Sequence, residues 1–247
     1  MWRRRRRALR GAPDVPTLAA EHLEAGDPTG WFEPLYAGAR RDLDAVPWAE
    51  GAAHPYVTDW LDDPVSTPPG RRAAVVGCGL GDDAAELARR GYDVVAFDVA
   101  PSAVAWARER HRGIDVDWRV VDALEPPDEL IGAFDLVLEV RTVPSLPGVV
   151  REAAMDAIGR LVAERGVLVV VTLVATSTEA ADAWSGPPWV QAPSELATYR
   201  SSGLVRLAME HPPSDPSGVL EARVTWQRPA GADPRGGPRP GGTLPLA

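Results

Sequence analysis

The chain contains no lysine and no asparagine, and all 26 of its basic side chains are arginine. Without lysine there is no Walker-type phosphate loop, no Schiff-base nucleophile and no Tyr-Lys dehydrogenase pair. Without asparagine there is no N-glycosylation acceptor. A single cysteine, Cys78, excludes an internal disulfide framework and a cysteine-rich zinc site, and no metal site is expected. No apolar run reaches membrane-spanning length. The longest, Val167 to Ala175, is interrupted by Thr172 and suits a core strand, so a cytoplasmic protein with no membrane partner is expected.

What remains is ordinary for a globular protein: 247 residues, 45% apolar and 25% charged, a length that favours one large domain. The net charge of −9 understates the acidity of the body. Six arginines and no acids lie in the first ten residues, leaving 20 basic and 35 acidic side chains, or −15, for the rest. An acidic body argues against a nucleic-acid surface, because phosphate contacts need clustered cations. The opening MWRRRRRALRG is followed by GAPDVPT and not by the apolar stretch of an export signal, so residues 1–16 read as a disordered basic tail.

Residues 17–69 read as a helical layer, with helices expected near 17–26, from Trp31 to about Ala45, and from Pro55 to Leu61. Trp31, Phe32, Tyr36, Trp48, Tyr56 and Trp60 concentrate there, as core packing or as a lid over a pocket. From residue 70 to 229 strand and helix patterns alternate, which calls for a parallel sheet covered on both faces. Strands are expected at 73–76, 93–97, 117–121, 134–140 and 167–173, with a helix from about Gly148 to Glu164. A further helix is expected at 194–202. Two last strands, 204–210 and 219–227, flank a proline-laden turn and suggest an antiparallel pair. Residues 230–247 have little to bury and read as a disordered tail.

The stretch that carries chemistry runs from Ala73 to Asp98. A buried strand leads into Gly77-Cys78-Gly79-Leu80-Gly81, then a helix, then a second strand ending in Asp98. Glycines in such a turn let backbone approach a ligand closely, and a carboxylate 21 residues beyond Gly77 suits ribose hydroxyls. A dinucleotide fingerprint would require glycine at 82, where Asp82 is followed by Asp83. A pyrophosphate rests on the helix N-terminus, and two carboxylates in that first turn would repel it. A nucleoside carrying a sulfonium and no phosphate suits the same place, which favours S-adenosylmethionine over NAD.

VVGCGLGDDAAELA, VVAFDVAPSAVAWAR, VVDAL, FDLVLEV and the strand from Gly166 to Leu173 resemble, in order and spacing, the motifs of class I S-adenosylmethionine-dependent methyltransferases. The resemblance covers about residues 70 to 175. More loosely, GWFEPLYAGA and VPWAEGAAHPYV are similar to the N-terminal segment of the thiopurine and tellurite type of this family. The resemblance implies a Rossmann-like α/β fold with strand order 3-2-1-4-5-7-6 and an antiparallel C-terminal strand. It implies that Gly77, Cys78, Gly79 and Gly81 border the methionine and ribose parts of S-adenosylmethionine. Asp98 would hold the ribose, with Val99 against the adenine, and Asp122, Ala123 and Leu124 would complete the adenine site. Glu139 would border the methyl group as cofactor ligand and catalytic candidate, with Arg141, Trp48 and Trp189 on the substrate and lid side. The expected activity is methyl transfer to a small molecule. The alternatives are a NAD-dependent oxidoreductase, a macromolecule methyltransferase, and a non-catalytic cofactor-binding relative.

Overall fold

The computed structural model describes residues 15–63, 68–182, 184, 186–211 and 218–235. Three helices come first: α1 (Val15–Glu24), α2 (Phe32–Gly38) and α3 (Pro55–Asp62). The alternating series follows as β1 (Arg72–Val76), α4 (Asp82–Arg89), β2 (Asp93–Asp98), α5 (Pro101–Arg110), β3 (Asp117–Val120) and β4 (Phe134–Val140). It continues through α6 (Gly148–Arg160), β5 (Val162–Ala175), the short α7 (Thr178–Asp182), β6 (Val205–Glu210) and β7 (Val219–Gln227). The seven strands form one sheet in the order β3-β2-β1-β4-β5-β7-β6, as the resemblance implied. β1 to β5 are parallel, and β7 runs antiparallel between β5 and β6.

The strands are apolar on both faces because helices cover both. Ala74, Val76, Val95, Phe97, Val137 and Val170 pack with Met155 and Ile158 of α6 and with Tyr199. Ala73, Val75, Val94, Ala96, Leu136 and Leu138 pack on the other side with Val57 and Trp60 of α3, Leu87 and Val104. A third cluster joins Trp31, Phe32 and Tyr36 to Ala103, Trp106 and Leu146, so the N-terminal aromatics form a layer over one end of the sheet. Glu33 fastens that layer. Its carboxylate accepts from Ser102 N (2.9 Å) and Ser102 Oγ (2.6 Å), capping α5, whose own N-cap residue Ala100 has no side chain for the task.

Several boundaries differ from the sequence reading, each for a local reason. α2 stops at Gly38, where Arg40 and Arg41 turn the chain at φ 49° and 66° before a 3-10 turn at Leu43–Ala45. α6 ends at Arg160 and not near Glu164, and β5 begins at Val162. Arg228 sits at that junction, wholly buried, donating to Gly159 O (2.9 Å), Val162 O (2.8 Å) and Ser202 O (2.8 Å). Its guanidinium satisfies a helix-end carbonyl, the role a continued helix would otherwise fill. Gly166, expected as the turn into the strand, lies inside β5 beside a register shift at Phe134/Leu136. The helix expected at 194–202 is a 3-10 helix, Glu195–Arg200. Chain expected to lie in the C-terminal tail packs on the body as far as residue 235. Gly231 N donates to Glu164 (2.7 Å), and Pro234 stands over Gly132. The arginine-rich opening and residues 236–247 lie outside the described residues.

Candidate active site

Register levels the ends of the central strands. Val76 pairs with Phe97 on one side and Glu139 on the other, so Gly77, Asp98 and Val140 emerge together at the sheet's C-terminal edge. β1 is followed by neighbours on opposite sides, and such a reversal of strand order opens a crevice for ligands. The glycine turn fills it. Gly77 and Gly81 adopt φ 59° and 82°, and neither has room for a Cβ. At Gly77 it would meet the Thr142 side chain, and at Gly81 the ring of Trp118. The sequence reading gave these missing side chains to ligand approach. At these two positions they make room for protein side chains, and Thr142 Oγ1 then donates to Val76 O at 3.0 Å, tying the turn to the end of β4.

One cleft is lined by Gly77, Cys78, Gly79, Gly81, Asp98, Val99, Asp122, Ala123, Leu124, Trp48 and Arg141. Asp98 is its buried carboxylate. Oδ2 accepts from Gly79 N (2.9 Å) and Oδ1 from Ala100 N (3.0 Å), with the Val99 amide as a third donor to the carboxylate. Burial pushes its carboxyl up to about 6, against which the amides of Ala100 and Gly79 pull. Asp122 Oδ1 accepts from Leu124 N at 2.8 Å. Cys78 is a half-buried thiol of the lining whose ionisation desolvation and Asp98 push well upward. Tyr36 and Trp48 form the roof, with Trp48 Nε1 donating to Tyr36 Oη at 2.8 Å.

The two carboxylates opening α4 are both engaged by protein. Asp82 meets Arg110 at 2.8 Å, and Asp83 accepts from His54 N at 2.7 Å. Arg110 offsets part of the repulsion expected of Asp82 toward a pyrophosphate. Both side chains nonetheless line the cleft at the helix start, where a dinucleotide turn carries its third glycine.

Beyond the glycine turn the cleft wall is polar. Arg141, at φ 57°, donates from Nε to Glu221 Oε1 (2.7 Å), also pairs with it through Nη2, and reaches Glu50 Oε1 from Nη1 (3.1 Å). His54 Nδ1 accepts from Tyr56 N at 3.2 Å, and its Nε2 lies 3.2 Å from Arg141 Nη2 and 3.4 Å from Glu221 Oε1. Burial works to raise Glu221, but His54 and Arg141 outweigh it and hold its carboxyl at about 2. The sequence reading gave no site role to His54, Glu50 or Glu221. His54 directly before Pro55 was a readable cap signal, whereas nothing in the sequence marks Glu221 among 35 acids.

Two expected site residues do not line the cleft. Glu139 is fully buried, and its Oε1 accepts from Thr142 N (2.6 Å) and Val143 N (3.0 Å), with Tyr199 Oη at 3.5 Å from Oε2. It caps the turn after β4 from beneath, so the expectation that it borders the methyl group is corrected. Burial raises its carboxyl to about 7. Trp189 is not part of the lining either. Its amide donates to Pro144 O (2.6 Å), and its ring packs beside Gly186 against the aromatic layer.

The mixed seven-stranded sheet with its antiparallel β7 has the fold of class I methyltransferases. Residues 74–166 match the family described as "Methyltransferase domain". Ubiquinone biosynthesis O-methyltransferase of Pseudomonas aeruginosa is 32% identical over 96 residues, 38% of this chain and 41% of that protein. The match thus spans about two fifths of that relative's length. The protein of the same name from Sinorhizobium fredii is 29% identical over 215 residues, covering 83% of this chain and 81% of its own. Among solved structures, the N-methyltransferase NodS of Bradyrhizobium japonicum, in complex with S-adenosyl-L-homocysteine, has a TM-score of 0.61 at 19% identity, covering 79% of this chain and 98% of that one. The [4+2]-cyclase SpnF also has a TM-score of 0.61 at 19% identity, covering 89% and 98%. Both structures are alike in fold alone. Residues 74–166 thus match a methyltransferase family, and the chain as described has the fold of the class I methyltransferases.

Proposed function

We propose that this chain transfers a methyl group from S-adenosylmethionine to a small-molecule acceptor. The observation that carries the reading is Asp98, a buried carboxylate at the cleft held by backbone amides and closing the strand beside the glycine turn. When bound, S-adenosylmethionine supplies a sulfonium methyl group that passes in line to a lone pair of the acceptor. Asp98 would take the ribose hydroxyls, which relieves the cost of keeping it charged in a buried place. Asp122 keeps Oδ2 for the adenine amino group, with Val99, Ala123 and Leu124 beside the ring. Gly77, Cys78, Gly79 and Gly81 border the methionine end.

The protein's contribution is alignment and exclusion of water, which suits a displacement whose leaving group is a neutral thioether. Phe32, Tyr36 and Trp48 cover the cleft for that purpose. Both His54 nitrogens are engaged by protein groups, so that histidine does not stand ready as a general base. The acidic body and the roofed cleft favour a small acceptor over nucleic acid, in a cytoplasmic enzyme.

Calorimetric titration with S-adenosylhomocysteine and with NAD tests the donor. Binding of the former alone is expected, and Asp98→Ala should weaken it by about a hundredfold or more through two lost charge-assisted hydrogen bonds. An unchanged affinity in that variant would remove the assignment. A metabolite extract incubated with methyl-labelled cofactor then identifies what acquires the label.

A further inference from the structure

We infer that the acceptor carries a carboxylate, which Arg141 binds in exchange for Glu50. The inference rests on the methyltransferase reading and names its acceptor class. Arg141 is the one arginine lining the cleft among the described residues. Its side chain is 12% exposed, and its two edges are held very differently. The inner edge, Nε and Nη2, grips Glu221, which stays ionised throughout the physiological range. The outer edge reaches through Nη1 to Glu50 at 3.1 Å, and Glu50 is 46% exposed on a loop at the cleft wall.

That outer edge already holds a carboxylate, delivered by a side chain that water solvates well on its own. An exposed ion pair of this kind adds little, whereas a planar guanidinium binds an incoming carboxylate through charge-assisted and directional bonds. Substituting one carboxylate for the other at Nη1 leaves the charge around Arg141 itself unchanged, with the guanidinium between Glu221 and the incoming group while Glu50 turns to solvent. The exchange offsets the repulsion that Glu50 in place would add to that of the cleft's aspartates. A neutral acceptor has nothing with which to displace Glu50.

The backbone is held for the same purpose. Arg141 keeps φ 57°, a conformation that side chains rarely adopt, through its amide's bond to Val171 O (2.8 Å) and the bond from Ser145 Oγ to its carbonyl (2.9 Å). Conformations held against preference concentrate at ligand sites. Phe32 and Trp48 line the same cleft and suit a flat apolar body behind the carboxylate.

The test uses the full chain saturated with S-adenosylhomocysteine and titrated with benzoate and 4-hydroxybenzoate, against benzamide and benzyl alcohol as neutral counterparts. The carboxylates should bind about tenfold or more tightly than the neutral pair. Arg141→Gln should erase that preference, with S-adenosylhomocysteine affinity reporting that the variant is folded. Glu50→Gln should strengthen carboxylate binding several-fold by clearing the outer edge. Equal binding of the two sets, no binding of either, a preference that survives Arg141→Gln, or weaker carboxylate binding in Glu50→Gln overturns the inference. The methyltransferase reading fails separately, if S-adenosylhomocysteine itself does not bind. The carboxylate series on the ligand-free protein then still decides the role of Arg141.

Discussion

Glu139→Gln separates a buried structural carboxylate from a catalytic one. In the folded protein burial lifts the Glu139 carboxyl from 4.5 to about 7, opposed by the Val143 and Thr142 amides and Tyr199. A folded-state value above the unfolded one contributes stability that is fully present below pH 4.5 and lost as pH rises through 7. At about 1.4 kcal/mol per pH interval, the ionised form weakens the fold by roughly 3 kcal/mol at pH 8. Glutamine keeps Oε1 as acceptor for the Thr142 and Val143 amides and turns a donor toward Tyr199, without a charge to bury. The variant should therefore match wild type near pH 5 and exceed it at pH 8, by about 6–10 °C in thermal midpoint for a chain of this size. Asp98 titrates in the same direction in both proteins, so their difference isolates Glu139. Differential scanning calorimetry at the two pH values is the measurement. A midpoint difference independent of pH, or a variant less stable at pH 8, would refute the reasoning. Methyl transfer should survive the substitution, and its loss with cofactor affinity intact would return Glu139 to the catalytic list.

Two further outcomes follow from the packing. Arg228→Ala strands three buried carbonyls at the junction of α6, β5 and the 3-10 helix, and should lower stability by about 3 kcal/mol or more in urea titration. A variant as stable as wild type would mean the carbonyls find water. Gly81→Ala combines a left-handed backbone with a Cβ driven into Trp118, and should cost roughly 2–4 kcal/mol and shift the start of α4. Its S-adenosylhomocysteine affinity should fall by tenfold or more in the same calorimetric assay as Asp98→Ala, and wild-type affinity would show that the turn does not shape the site.

The donor half of the site was legible because its signals are local. A strand, three glycines and Asp98 follow one another within 26 residues, and the parallel pairing of β1 and β2 brings their ends level. The acceptor half was not. His54, Arg141 and Glu221 stand far apart in the chain, and their meeting depends on β7 inserting antiparallel between β5 and β6. Glu139 was misread for a related reason. β4 is buried on both faces, so its residues carry no polar alternation to say which way a carboxylate points. Only the packing of Tyr199 and the turn at Thr142 shows that it points inward, beneath the floor of the cleft.

The split between halves bears on how this fold acquires its chemistry. SpnF and NodS resemble the chain to the same degree in backbone, yet one is a cyclase and the other an N-methyltransferase. The shared sheet and turn therefore cannot decide the reaction, and the decision must lie in what borders the transferred group. On the proposed reading, that border would be assembled from a loop before α3, the end of β4 and β7, where Glu50, His54, Arg141 and Glu221 meet. Thr142, which closes on Gly77, ties the end of β4 to the glycine turn, and the His54 amide ties the loop before α3 to Asp83 at the start of α4. Substitutions at the exposed Glu50 should thus retune the acceptor without disturbing the turn. A change at Thr142 would alter both halves together, which makes it a position where acceptor choice and donor binding are coupled.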